Sequence, residues 1–200
     1  MVTQPFPIFL TEEQYVKIDN GVDGPLEFVD GEVFEIEGAS ENHGIIQVNL
    51  SIAVGTRLRG SSCTAMGQST RVRVPSGKYF HPDLVVVCGK RYFHEDETLL
   101  NPTIVFEILS KSTGDYDLGR KSILYRSIPS LREYIVIDQS RAWVQQWTRE
   151  SNSRWQGNEV SGLHDTLPIT SLGCEIPVGE FYINVECESP DTPPVSPSPL

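Results

Sequence analysis

Tyr79-Phe-His-Pro-Asp-Leu-Val-Val-Val-Cys88 and Pro102-Thr-Ile-Val-Phe-Glu-Ile-Leu-Ser110 decide how this chain is read. Each is a short apolar, β-branched run bounded by proline and turn residues, the pattern of a buried strand. Each also carries one carboxylate, Asp83 at the start of the first and Glu107 near the end of the second. An ionised acid in an apolar layer costs several kcal/mol unless a cation or a set of donors meets it. If the two strands pair, the acids converge at one edge of the sheet, and converging carboxylate oxygens suit a hard cation such as Mg²⁺ or Mn²⁺. The plainer reading is that each acid bonds nearby backbone N–H groups or an arginine and is structural.

Outward from these strands, the pattern alternates. Thr11-Glu-Glu-Gln14 matches a capping box and predicts a short helix, which Asn20-Gly21 and Asp23-Gly24-Pro25 end. Leu26–Val29, Asp30-Gly31 and Glu32–Glu37 read as a hairpin with a type I′ turn. Ser40 N-caps a predicted helix over 41–58, whose apolar residues spread widely round its axis and predict packing over a broad face. Strands are expected at Cys63–Met66 and Thr70–Val74, with a polar loop at 89–101. A second long helix is expected over 115–127, stopped by Ile128-Pro129, then paired strands at Arg132–Asp138 and Ala142–Arg149 and a last strand at Phe181–Val185. This is a mixed α/β (α+β) core with a mostly antiparallel sheet flanked by helices. Residues 1–187 form one expected domain, and the Ser/Pro/Asp-rich 188–200 an expected disordered tail.

With 200 residues, a globular composition and no run of about 20 apolar residues, a membrane span is not expected. The N-terminus lacks a basic, apolar leader, so the expected location is cytoplasmic. Cys63, Cys88, Cys174 and Cys187 form no C-x-x-C pair and read as reduced, mostly buried thiols. The net charge of −11 argues against tight, unassisted binding to phosphates, although Arg57, Arg59, Arg71 and Arg73 make a locally basic stretch that could face a polyanion.

The order of motifs resembles the Uma2 family, abundant in cyanobacteria. The resemblance rests on His81-Pro82-Asp83 before an apolar strand, Val105-Phe-Glu107-Ile-Leu-Ser110 with Ser112-Thr113, and Asp117-x-x-x-Lys121-x-x-x-Tyr125. It extends to Glu133-Tyr-Ile-Val-Ile-Asp138, and upstream to Phe28-Val-Asp-Gly-Glu32 and Glu41-Asn-His43-Gly44. It covers roughly residues 10–185 and implies a restriction-endonuclease-like fold of the PD-(D/E)XK nuclease superfamily. It further implies Asp83 and Glu107 as metal ligands, with the backbone carbonyl of Ile108 as another, and hydrolysis of DNA phosphodiester bonds with Mg²⁺ or Mn²⁺. The superfamily pattern places a lysine two residues after the second acid; here that residue is Leu109. Lys121 is the expected substitute, because Asp117, Lys121 and Tyr125 share one helix face at a spacing of four. The plainer reading of Asp117 and Lys121 is an exposed i,i+4 ion pair.

Glu41, His43 and Asp117 are accessory candidates, while Lys111 is expected to be solvated and Tyr125 to be core. His81 and His94 suggest a transition-metal site at a spacing that fits no motif. Two other functions fit the same residues. One is a weak or inactive nuclease-fold binding module, favoured by Leu109 and the acidity; the other is a hydrolase of another phosphate ester. A homodimer fits enzymes that cut both strands.

Overall fold

The computed structural model describes residues 9–35, 40–109 and 117–187. A six-stranded sheet forms the middle layer, in the order β10-β9-β8-β7-β6-β3. Its strands are β3 (Cys63–Gly67), β6 (Leu84–Cys88), β7 (Ile104–Leu109), β8 (Glu133–Asp138), β9 (Trp143–Arg149) and β10 (Trp155–Ser161). Only β7 and β8 pair in parallel; the other neighbours are antiparallel. A second sheet has the order β2-β1-β5-β4, from β1 (Leu26–Val29), β2 (Glu32–Glu35), β4 (Val72–Arg73) and β5 (Tyr79–Phe80). A hairpin of β11 (Thr166–Ile169) and β12 (Cys174–Pro177) completes the strands. The mixed, mostly antiparallel architecture expected from the sequence is the one observed.

Side-chain alternation along the main sheet sorts the core into two layers. Ile104, Phe106 and Ile108 of β7 face helix α2 (Glu41–Arg57) and the β11–β12 hairpin, in one cluster with Ile46, Leu50, Val54, Leu167 and Ile176. Val105 and Leu109 face the other way, into a cluster with Val72, Phe80, Tyr125, Tyr134 and Val136. Each such aliphatic or aromatic side chain contributes about 1.5–3 kcal/mol by leaving water. A third, smaller cluster of Tyr15, Leu26, Phe28 and Tyr79 docks helix α1 (Glu12–Asp19) onto the second sheet. The α1 capping box is formed, and Asp30 and Gly31 both take positive φ (54° and 91°), as a type I′ turn requires.

The structure corrects several expectations. Tyr79–Cys88 is not one strand. Its first two residues belong to the second sheet and its last five to the main sheet, and the chain crosses between them at His81-Pro82-Asp83. Pro82 has no N–H to give a ladder, which makes it a natural crossing point. Helix α2 buries a narrow stripe, Ile46, Leu50, Ala53 and Val54, and leaves Val48 and Ile52 about 60% exposed (59% and 62%). The second long helix is in its described part a π-helical turn, Asp117–Lys121, running into α3 (Ser122–Arg126). Phe181–Val185 is not a strand: it follows a 3-10 turn at Val178–Glu180, and Phe181 plugs the α2 side of the core.

Cys63 and Cys88 are not free thiols. Antiparallel pairing of β3 with β6 sets them opposite one another, and they form a disulfide; Cys174 and Cys187 remain free. That register is a long-range fact no local pattern encodes. No helix among the described residues is long and apolar enough to cross a membrane. The expected tail at 188–200 lies outside the described residues.

Candidate active site

The register of β6 against β7 (Leu84 with Phe106, Val85 with Val105) sets Asp83 across from Glu107. Both are buried, at 5% and 4% exposure. The Ile108 N–H, which β6 would otherwise meet with a carbonyl, donates to Asp83 Oδ2 at 2.7 Å. That bond locks the carboxylate against the end of β7. Asp83 Oδ1 faces His43 Nε2 at 3.4 Å. His43 is buried in the first turn of α2, with its Nδ1 lacking a hydrogen-bond partner among the described residues.

Lys121 comes to the same place from the far side. The π-helical turn ends on it, and its side chain is 7% exposed. Its Nζ lies 3.0 Å from Glu107 Oε1 and 2.6 Å from Glu27 Oε1. The ammonium also sits 5.5 Å from the centre of the Phe80 ring, a cation–π contact within an otherwise apolar wall. Lys121 is therefore buried among acids rather than exposed in a helical ion pair. Leu109, in the slot where the superfamily pattern has lysine, is a core residue at 6% exposure on the same sheet face as Glu107. The ammonium that reaches Glu107 comes from the helical turn and not from β7 itself.

Glu27 is the residue that the sequence reading missed. It lies on β1 between Leu26 and Phe28, which both turn into the Tyr15 cluster, so alternation aims it the opposite way, toward Lys121. Its signal was the one that flagged Asp83, an acid within an apolar strand. Tyr125, one turn after Lys121, is fully buried between Phe80 and Tyr134. Burial, reinforced by the charges of Glu107 and Glu27, pushes its phenol well above the usual range, so it remains a neutral hydroxyl beside the acids.

The other candidates fall elsewhere. Glu41 is exposed in the first turn of α2 rather than buried with the cluster. The Asp117 side chain and all of Lys111 lie outside the described residues. His81 and His94 do not share a site: His81 is buried against Gln68 O (3.0 Å) and Asp19 Oδ2 (3.2 Å), while His94 is exposed beside Asp96. The basic stretch is largely consumed. Arg57 binds Glu180 in a fork, Arg71 is buried on Asp19 at 2.6 Å, and Arg73 pairs with Glu12.

The cluster holds three carboxylates, Glu27, Asp83 and Glu107, against one ammonium and one imidazole. No group of three or more His, Cys, Asp or Glu side chains converges closely enough to cage a metal among the described residues. Two hard-oxygen acids in register, with surplus negative charge, fit instead a cation held by one or two carboxylates and water, the usual habit of Mg²⁺. Asp83 also lines an open groove with Gln47, Val48, Ser51, Ile52 and Gly67, so this buried acid borders solvent-accessible space.

Two uncharacterised proteins of Synechocystis sp. (strain ATCC 27184 / PCC 6803 / Kazusa) are similar along most of the chain. The protein sll1609 is 30% identical over 156 residues, covering 76% of this chain and 88% of its own. The protein slr1290 is 27% identical over 179 residues, covering 89% and 93%. In three dimensions the fold matches the crystal structure of "a putative nuclease belonging to DUF820" from Anabaena variabilis ATCC 29413. The TM-score is 0.70 at 13% identity, covering 86% of this chain and 97% of that one. Residues 12–179 match the model of the family Uma2, described as "Putative restriction endonuclease", and the chain belongs to that family.

Proposed function

We propose that this protein is a metal-dependent endonuclease that hydrolyses DNA phosphodiester bonds at the Asp83–Glu107–Lys121 cluster. The observation that carries the reading is the placement of Lys121. A lysine absent from the strand reaches the second acid from a neighbouring helix, next to a first acid in register with it. An ion pair serving stability alone would need one acid; this ammonium meets two, Glu27 and Glu107, and the acid in register with Glu107, Asp83, lines an open groove.

Asp83 and Glu107 supply the oxygens that would hold Mg²⁺ or Mn²⁺, with the Ile108 carbonyl completing the set. Such a cation lowers the pKa of a bound water and offsets charge on the phosphate. Lys121 donates hydrogen bonds to the non-bridging phosphate oxygens as negative charge gathers there, in a site dry enough for that contact to count. Glu27 holds the ammonium in its charged form and at a fixed position when Glu107 is otherwise engaged. The Ile108 N–H holds Asp83 Oδ2 and His43 faces Oδ1, so both carboxylate oxygens are fixed in orientation at the end of β7. In the reaction, a water oxygen bonds to phosphorus while the bond to the leaving sugar oxygen breaks.

The test is cleavage of supercoiled plasmid and single-stranded DNA by wild type and Glu107→Gln protein in Mn²⁺, Mg²⁺ or EDTA. Nicking that needs the metal and disappears in the variant is expected. A folded wild type that cuts neither substrate in any metal overturns the reading and leaves a binding module of the same fold.

A further inference from the structure

Charge is segregated along this acidic chain. Between residues 119 and 155 lie seven cationic and only three acidic side chains, although the whole chain carries −11. All three tryptophans, Trp143, Trp147 and Trp155, fall in the same stretch. The fold brings them to one place. Trp147 on β9 pairs with Tyr134 on β8 and with Gly157 on β10, on the same sheet face as Glu107. It lies two strands from β7, about 10 Å across the sheet at the usual strand spacing.

Arg126, at the end of α3, lies over the Trp147 ring at 4.2 Å and near the Trp155 ring at 5.9 Å. Its neighbour Arg149 stacks on Trp155 at 4.4 Å but spends its guanidinium on the carbonyls of Leu131, Asn152, Arg126 and Ile128. Arg126 is different. Only its Nε has a protein acceptor, the Ser122 carbonyl at 3.2 Å, and it pairs with no carboxylate among the described residues. Half-burial without an acid disfavours its charge, the opposite of what a structural ion pair does. The nearby acids are engaged elsewhere: Glu150 with Arg154, and Glu159 with the Gln145 amide.

We infer that Arg126, framed by Trp147 and Trp155, binds a phosphate of an unpaired nucleic-acid strand whose adjoining base stacks on the face of Trp155 that Arg149 does not cover. A planar guanidinium held flat by aromatic rings is pre-organised for a bidentate phosphate contact. Indole faces accept any base, so the contact selects strand state rather than sequence. Lys121 and Arg126 lie on one continuous helical segment, five residues apart, which separates them by about 7.5 Å along its axis at the α-helical rise. Lys121 meets Glu107 and Arg126 meets Trp147 on the same face of the main sheet, so the strand held at Arg126 leads along that face toward the phosphate that Lys121 contacts. This rests on the nuclease reading and adds an unpaired segment to its substrate.

The experiment is titration of a short oligothymidylate into the full chain in EDTA, read in parallel by intrinsic tryptophan fluorescence and by anisotropy of an end-labelled oligonucleotide. Because every tryptophan lies on this surface, saturable quenching reports occupancy here. Arg126→Gln is expected to weaken binding about tenfold and to lower the salt slope by about 0.7, one phosphate's share for a single strand. Arg126→Lys should restore the slope without the full affinity, and Trp155→Leu should weaken binding about tenfold with the slope intact. Melting curves identify any variant that fails to fold. Binding seen by anisotropy without quenching, or unchanged affinity in folded Arg126→Gln and Trp155→Leu, overturns the inference. So does equal affinity for a duplex of the same length. Metal-dependent cleavage by the wild type keeps the nuclease reading in any of these cases. A wild type that neither binds nor cuts loses both.

Discussion

Two buried charge clusters flank the strand crossing at His81-Pro82-Asp83, and they differ in balance. Around Asp19 both carboxylate oxygens are engaged: Arg71 Nη1 at 2.6 Å, His81 Nε2 at 3.2 Å and the Leu26 N–H at 2.8 Å all donate to it. Arg71 in turn donates to Thr98, Asn20 and the Asp96 carbonyl. Both ring nitrogens of His81 lie within hydrogen-bond reach of oxygens, Gln68 O and Asp19 Oδ2. Around Lys121 two carboxylates, Glu27 and Glu107, meet one ammonium, and Asp83, in register with Glu107, faces His43 beside an open groove. Two residues along the chain separate a group from each cluster, yet the first sets one acid among an arginine and a histidine, and the second sets three acids near one ammonium and one imidazole among the described residues. Burial of charge does not mark a site; unbalanced burial does.

The sharpest way to break that contrast is to remove an acid from each. Glu107→Gln should cut nuclease activity by about 10²–10³-fold or more. It should leave the melting temperature unchanged or raised, because surplus negative charge is relieved. A melting temperature that falls steeply would make this cluster as structural as the other. Asp19→Asn should do the reverse, costing about 3–5 kcal/mol by stranding Arg71 and His81, with activity per folded molecule retained. Its pH dependence has a definite sign. Burial raises the Asp19 pKa, but bonds from His81, Leu26 and Arg71 outweigh that and hold it below the ordinary carboxylate value. The stabilisation is therefore present above the unfolded-state pKa, about 3.9, and is lost as pH falls through the lowered folded value. Urea melts of wild type and Asp19→Asn should converge in that acidic window and stay apart at neutral pH.

A smaller effect sharpens the comparison within the site. Lys121→Met should cost about 2 kcal/mol by leaving Glu27 and Glu107 unpaired, and adding Glu27→Gln should recover part of it. A double-mutant cycle with no coupling would mean that Glu27 does not hold the ammonium. The smallest effect belongs to the part-exposed Arg73–Glu12 pair, where Arg73→Gln should cost no more than about 1 kcal/mol.

Residues whose signal is local were legible in the sequence. The capping box at Thr11, the hairpin at Asp30-Gly31 and the acids of two apolar strands depend on neighbours a few positions away. Lys121 was legible because Tyr125, four residues on, anchors the same helix face in the core. What depended on partners far along the chain was not. Nothing near Tyr79 says that it pairs with Phe28 while Leu84 pairs with Phe106. Nothing near Cys63 points to Cys88, and the arginines from 57 to 73 look free until Glu12, Asp19 and Glu180 arrive to pair three of them. Glu27 fell between these cases: its strand was read correctly, but the direction of its side chain mattered only once Lys121 lay opposite.

The single parallel pair in the main sheet has a kinetic consequence. Strands β7 and β8 cannot be joined by a tight turn, so the chain must leave the sheet after Leu109 and return at Glu133, and Lys121 rides on that excursion. Its contact with Glu27 spans 94 positions of sequence. Closing such a loop is slow and comes late for chains rich in distant pairings. The cluster can exist only after the hairpin, the crossing and the excursion have all docked, so the contacts of Lys121 with Glu27 and Glu107 form only when these parts are in place. Recovery of cleavage after dilution from denaturant should then lag behind recovery of the sheet's circular dichroism, and serve as the clock for the last step of folding.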